Sequence, residues 1–207
     1  YDVVRIDHFI GIVRYYAIPA ERVPVDGAFR KGPGEKLIKA IDEAIGDAKV
    51  IAEDLGVVVP GVRQLLKQSG YPGMKILEFA FDGKRDNEYL PHNYEKNCVV
   101  YTGTHDNDTL CGWYKVLDPE DLKLSQKYMN NANTPKRQIH WDFIRLALAS
   151  VADMCIIPLQ DYLGLGSEAR INTPSTLGNN WRWRMKQGCL TKELADQIRE
   201  LTTLYGR

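Results

Sequence analysis

The chain has 207 residues, enough for a domain with a substantial hydrophobic core. Its 27 Lys and Arg balance 27 Asp and Glu, so no net field draws it to nucleic acid, an anionic membrane or a polyanionic substrate, and a neutral substrate is expected. The four cysteines (Cys98, Cys111, Cys155, Cys189) are far apart with no C-x-x-C pair, and no apolar run reaches spanning length. This predicts free thiols, a cytoplasmic setting and no membrane partner.

The chain opens on the apolar run YDVVRI with no methionine ahead of it, which predicts a piece of a longer protein. Val3 to Ile6 reads as a strand. Residues 35–46 read as a helix with Leu37, Ile38, Ile41 and Ile45 on one face and Gly46 closing it. A strand follows at 49–52, then a helix at 60–70 with Pro60 near its first position and Gly70 at its end. Further strands are predicted at 75–79, 98–101 and 154–157, with a long apolar helix at 136–153. A last helix at 191–206 has Thr191 as its N-cap. Near-continuous Val/Ile runs suit parallel strands covered on both faces. Their alternation with helices predicts an α/β fold of βα units, its sheet open or closed into a barrel. An eight-stranded (β/α) barrel takes about 250 residues, so as a barrel this chain would lack roughly its first three strands.

Three of the strand runs finish on acids: VRID at Asp7, VIAED at Glu53 and Asp54, and VVYTGTHDND at Asp106 and Asp108. Parallel strands point their carboxyl ends the same way, and sites are built from the loops at that end, so Asp7, Glu53 and Asp106 are expected on one rim. An acid past a strand also serves as the N-cap of the next helix. That alternative weakens where no helical pattern follows at once, as in HFIGIVRYYAIP after Asp7 and DLGVVVP after Glu53. Two carboxyl groups across a pocket, one an ionised nucleophile and the other a protonated general acid, are the apparatus of retaining glycoside chemistry, and a neutral sugar polymer suits the charge balance. Arg5 lies two residues before Asp7 on the same strand face, where its guanidinium would hold that carboxylate in place or form a plain salt bridge.

The segments RIDHF, AEDLG and TGTHDND, in that order, resemble the active-site signatures of the 4-alpha-glucanotransferases (amylomaltase, or disproportionating enzyme) of the alpha-amylase clan. KGPG (31–34), EFAFDG (78–83), YLPHNY (89–94), CIIPLQDYLGLG (155–166) and RINTPSTLGNNWRWR (170–184) also match, so the resemblance spans nearly the whole chain. It implies that residues 1–207 are the carboxyl-terminal part, about strands 4 to 8, of a (β/α)8 TIM barrel. It also implies transfer of α-1,4-glucan segments through a covalent intermediate. Asp7 would be the nucleophile, Glu53 the acid/base, and Asp106 the carboxylate that grips the donor sugar. His105 would contact the same sugar and Arg5 would set the state of Asp7. His8, Asp54, His92 and Asn93 are further substrate-binding candidates. Ile10 departs from the Arg that many members carry after HF, and Tyr15-Tyr16 from a frequent Trp.

The implied partners are maltooligosaccharides and α-1,4-glucans, with no nucleic acid and no cofactor. A retaining alpha-glucan hydrolase and a silent glucan-binding half-barrel are the alternatives. Open barrel edges would favour self-association. The four histidines (His8, His92, His105, His140) are too scattered for a metal centre. His140 reads as a satisfied packing residue, Trp113 as structural, and Trp181 and Trp183 as sealing the last loop rather than stacking on sugar.

Overall fold

The computed structural model describes residues 1–56 and 59–207; Val57 and Val58, in the stretch after Glu53 read as non-helical, lie outside the described residues. The chain packs as two units, Tyr1–Met74 and Lys75–Arg207, with separate cores.

In the first unit, β1 (Val3–Ile6) is followed by a single helical turn, α1 (Ile10–Val13), and then by β2 (Arg14–Ala17) and β3 (Ala28–Lys31). Next come α2 (Glu35–Ile45), β4 (Lys49–Ala52) and α3 (Pro60–Ser69), while β5 (Gly73–Ile76) straddles the division. β1 and β4 pair in parallel, Val3 opposite Lys49 through Ile6 opposite Ala52, as the alternation of strand and helix predicts. The core beneath them is Phe9, Ile12, Ile38, Val50, Ala52, Val62, Leu65 and Tyr71. α2 turns Ile38, Ile41 and Ile45 inward at helical spacing but leaves Leu37 exposed, narrowing the predicted apolar face. α3 starts on Pro60 and ends at Gly70, whose left-handed φ of 69° lets its N–H donate to the Leu66 carbonyl.

The β2–β3 hairpin has no counterpart among the predicted elements. Its stability rests on one exposed face: the Tyr16 and Phe29 rings meet edge-on at 5.0 Å, and the Arg14 guanidinium lies 4.3 Å over Phe29. Polar and aromatic residues without a clean apolar alternation gave no strand signal there. The β4–β5 junction is also unlike a regular ladder. Ala52 N–H donates to the Pro72 carbonyl at 3.0 Å, but the Asp54 carboxylate takes the Met74 N–H at 2.8 Å, so a side chain stands where a strand carbonyl would.

The second unit contains β6 (Cys98–Tyr101), α4 (Leu110–Val116), α5 (Pro119–Met129), α6 (Ile139–Leu148), β7 (Met154–Ile156), α7 (Leu159–Tyr162) and α8 (Lys192–Leu204). Its sheet runs β5-β6-β7, with β6 and β7 parallel and Val99 opposite Met154. The strand predicted at 75–79 is shifted: it runs from Gly73 to Ile76, and Leu77–Phe79 is a 3-10 turn. α6 is shorter than its sequence pattern and buries Ile139, Phe143, Ile144 and Leu148 against Phe81, Leu90, Leu110 and Leu201. Trp113 meets Phe143 edge-on at 5.3 Å, in the structural role expected of it. His140 is buried as expected but incompletely satisfied, since its Nδ1 has no partner; burial pushes its pKa down. α8 opens on Thr191, whose hydroxyl accepts from Leu194 N–H at 3.2 Å. Among the described residues no helix is long and apolar enough to cross a membrane.

Candidate active site

None of the strand-ending acids caps a helix. The residues at the N-caps of α1, α3 and α4 are Phe9, Val59 and Thr109, so the capping explanation fails for Asp7, Glu53 and Asp106 alike.

In the first unit Asp7 and Glu53 come together because β1 and β4 are parallel neighbours ending in register. Glu53 N–H donates to the Ile6 carbonyl and Phe9 N–H to the Glu53 carbonyl, both at 2.9 Å, which carries the pairing past the strands. The Glu53 side chain is buried, and each oxygen accepts a backbone N–H: Oε2 from His8 at 2.6 Å and Oε1 from Leu55 at 2.9 Å. Burial raises its pKa, the two N–H groups work against that, the charge of Asp7 raises it further, and Arg5 lowers it. Asp7 is the opposite case, with 70% of its side chain exposed and its Oδ1 2.8 Å from the Arg5 guanidinium. Arg5 is fixed in turn by its Nε, which faces the Met74 sulfur at 3.4 Å. One carboxyl is therefore buried with a raised pKa, and the other is open and paired with a cation.

His8 sits at a left-handed φ of 50°, bringing its N–H onto Glu53, so its evident contribution is made by the backbone. Asp54 does not share the environment of Glu53, because its carboxylate is occupied by the start of β5.

In the second unit Asp106 stands on the loop after β6, exposed. Its Oδ1 accepts from Asn172 Nδ2 at 2.6 Å and lies 3.4 Å from His105 Nε2. Arg170 donates to the Asp106 carbonyl at 2.6 Å and to the Asn172 carbonyl at 2.8 Å, while Asn172 N–H donates to the His105 carbonyl at 3.1 Å. His105 and Asp106 are thus brought together and braced by the 170–172 segment. Trp181 packs its ring on His105 with centroids 5.2 Å apart and is 64% exposed, at a φ of 63°. This corrects the expectation that it seals a loop in the core. His92 and Asn93 are used differently. His92 stacks on Tyr128, with Nδ1 2.9 Å from its hydroxyl, and Asn93 donates its amide to the Asn87 carbonyl at 2.9 Å, within its own loop.

Sequence reasoning missed two buried acids of this unit, Asp161 and Glu78. Asp161 accepts from the Thr102 hydroxyl at 2.6 Å and from Leu110 N–H at 2.8 Å, and burial pushes its pKa up to about 6. Asp108 accepts from the Ser167 hydroxyl at 2.6 Å. Glu78 lies beside them, its pKa pushed up to about 9 by burial and then by Asp161 and Asp108, against a hydrogen bond from Asn107 and the charge of Arg170. The acid-after-strand rule that singles out Asp7 and Glu53 also fits Glu78 once β5 is known to end at Ile76.

A family profile described as 4-alpha-glucanotransferase matches residues 1–191. The chain is 48% identical to the 4-alpha-glucanotransferase of Clostridium butyricum, covering 100% of this chain and 42% of that protein. It is 47% identical to a chloroplastic/amyloplastic 4-alpha-glucanotransferase of Arabidopsis thaliana, 36% of which it covers. Among solved structures it resembles an amylomaltase from Streptococcus agalactiae in complex with acarbose, with a TM-score of 0.93 and 38% identity over 100% of this chain and 42% of that one. The amylomaltase of Corynebacterium glutamicum shares the fold at a TM-score of 0.78 and 18% identity, covering 97% of this chain and 35% of that one. The chain therefore spans about two-fifths of the length of these relatives, and it belongs to the 4-alpha-glucanotransferase family.

Proposed function

We propose that this chain carries the acid machinery of an enzyme that moves α-1,4-glucan segments from a donor to the 4-hydroxyl of an acceptor by a retaining double displacement. Asp7 attacks the anomeric carbon while Glu53 protonates the departing glycosidic oxygen, giving a covalent glucosyl-aspartate. Glu53, now ionised, takes the proton of the acceptor hydroxyl, which displaces Asp7 and restores the bond type. Asp106, with His105, grips the sugar of the donor subsite. In the same reading residues 1–207 form the carboxyl-terminal part, about strands 4 to 8, of a (β/α)8 catalytic domain, and maltooligosaccharides are the substrates.

The observation that carries this reading is the contrast at the ends of β1 and β4: a buried Glu53 with a raised pKa beside an exposed Asp7 held by Arg5. Its test uses the complete protein. With Glu53→Gln and an activated α-glucosyl donor, a covalent adduct should accumulate and map by mass spectrometry to the peptide containing Asp7. An adduct elsewhere, or full transfer activity in Asp7→Asn, overturns it. Products from maltotriose separate transfer from hydrolysis, longer oligomers marking the first and glucose with maltose alone the second.

The chain's share of its relatives' length favours a second reading for the isolated 207 residues, a catalytically silent glucan-binding piece. β1 and β7 each end a sheet among the described residues, so the remaining barrel strands, or a second copy, would pair there. Solution scattering of the isolated chain as a monomer argues against the second copy.

A further inference from the structure

We infer that Glu78 is a positioning residue for the loop that bears Asp106, acting through the Asn107 side chain. The inference rests on the assignment of Asp106 to the donor subsite.

Glu78 is buried in the 3-10 turn after β5, and its own N–H donates to the Thr102 carbonyl at 3.2 Å, which fixes it against the end of β6. From there its carboxyl faces Asn107, the residue next to Asp106. Asn107 spends its carbonyl oxygen on the loop, accepting from Thr104 N–H at 2.9 Å and from the Thr104 hydroxyl at 2.8 Å. Its amide nitrogen is left for the Glu78 side, which Asn107 adjoins next to Gly103. The Thr104 hydroxyl in turn accepts from Asp106 N–H at 3.3 Å, so Asn107 and Asp106 are both tied to Thr104, and Glu78 stands against Asn107 at the other end. The approach depends on Gly103: a Cβ there would stand 2.9 Å from Glu78 Oε1 and 3.1 Å from Asn107 Cβ. Oε1 itself has no partner.

Burial, with Asp161 and Asp108 nearby, pushes the pKa of Glu78 up to about 9 against the opposing influence of Asn107 and Arg170, so it is neutral at neutral pH. A neutral carboxyl offers one acceptor and one donor, as a glutamine does. The function assigned to Glu78 therefore needs a neutral planar group of this size rather than a charge.

The test is made in the complete transferase by maltotriose disproportionation, with thermal unfolding alongside. Glu78→Gln should keep kcat within about twofold. Glu78→Ala and Asn107→Ala should each lower kcat by about tenfold or more with KM changed much less, and the double variant should lose little beyond either single one. If Glu78→Ala does not fold, Asn107→Ala and its combination with Glu78→Gln decide the matter by the same criteria. A Glu78→Gln enzyme as impaired as Glu78→Ala, or Asn107→Ala with unchanged kcat, overturns the inference. Asp106→Asn is the control: full activity in that variant removes the catalytic reading of Asp106, whereas an inactive Asp106→Asn with a fully active Asn107→Ala removes the Glu78 inference alone.

Discussion

The backbone N–H of His8 donates to Glu53 Oε2 at 2.6 Å, tying the residue after Asp7 to the carboxyl at the end of the neighbouring strand. Leu55 N–H occupies the other oxygen. A glutamine has one acceptor, so Glu53→Gln must turn its NH2 toward one of these N–H groups. We expect kcat to fall by about 10²–10⁴-fold, the usual contribution of a proton-transferring side chain. Melting should also drop, by about 1–3 kcal/mol in stability for the lost acceptor. Turnover assays and thermal denaturation of the same preparation check both halves.

Arg5 lowers the pKa of Glu53 while it orients Asp7. In Arg5→Ala that opposing charge is gone, so Glu53 should hold its proton to higher pH and the alkaline limb of the kcat/KM profile should move upward. The rate should fall across the whole profile because Asp7 loses its partner. Stability should change by only about 0–1 kcal/mol, since Asp7 is largely solvated and exposed pairs contribute little. A limb that moves downward would contradict this account.

Burial of Glu78 sets the sign of a pH effect on stability. Its pKa is about 9 in the folded chain, against an ordinary 4.5, so between these values the folded state holds a proton that the unfolded state has released. Stability then declines as pH rises through that window. Glu78→Gln has no proton to release, so its Tm relative to the parent should be near zero difference at pH 4 and increasingly favourable towards pH 9.

Gly103 leaves the space that Glu78 and Asn107 fill. A methyl group at this position overfills a packed interior, and Gly103→Ala should cost about 1–3 kcal/mol. Urea titration measures it, with the midpoint falling and the slope unchanged.

Arg207 donates to three carbonyls beyond and within the last turn of α6: Leu148 at 3.0 Å, Ser150 at 2.8 Å and Ala152 at 2.7 Å. Arg207→Ala should destabilise the second unit by about 1–3 kcal/mol, with kcat unaltered once folding is complete. Hydrogen exchange localised to 145–153 would report the loosening.

Much of this arrangement is legible in the sequence because it depends on local patterns. The Val/Ile runs marked β1, β4, β6 and β7, and the Pro60, Gly70 and Thr191 signals marked helix ends. Asp7, Glu53 and Asp106 stood out as acids after strands. What stayed hidden depends on partners distant in sequence. The β2–β3 hairpin is held by an aromatic and a guanidinium contact across strands, and Asp161 becomes a buried acid through Thr102, 59 residues away. Glu78 was obscured by one boundary, since a strand continued to Phe79 makes it a mid-strand residue. Trp181 was misread because an aromatic in a Gly/Asn-rich loop carries no signal of whether its face is covered.

The main chain of Glu53 bonds to Ile6 and Phe9 on either side of Asp7, independently of what its side chain carries. Part of the scaffolding around Asp7 is thereby carried by main-chain atoms that a side-chain replacement leaves in place, alongside the carboxyl's own bonds to His8 and Leu55. A variant at Glu53 would therefore keep the main-chain bonds to Ile6 and Phe9 that flank Asp7, and under the proposed mechanism it would lose turnover before it lost the arrangement of the loop.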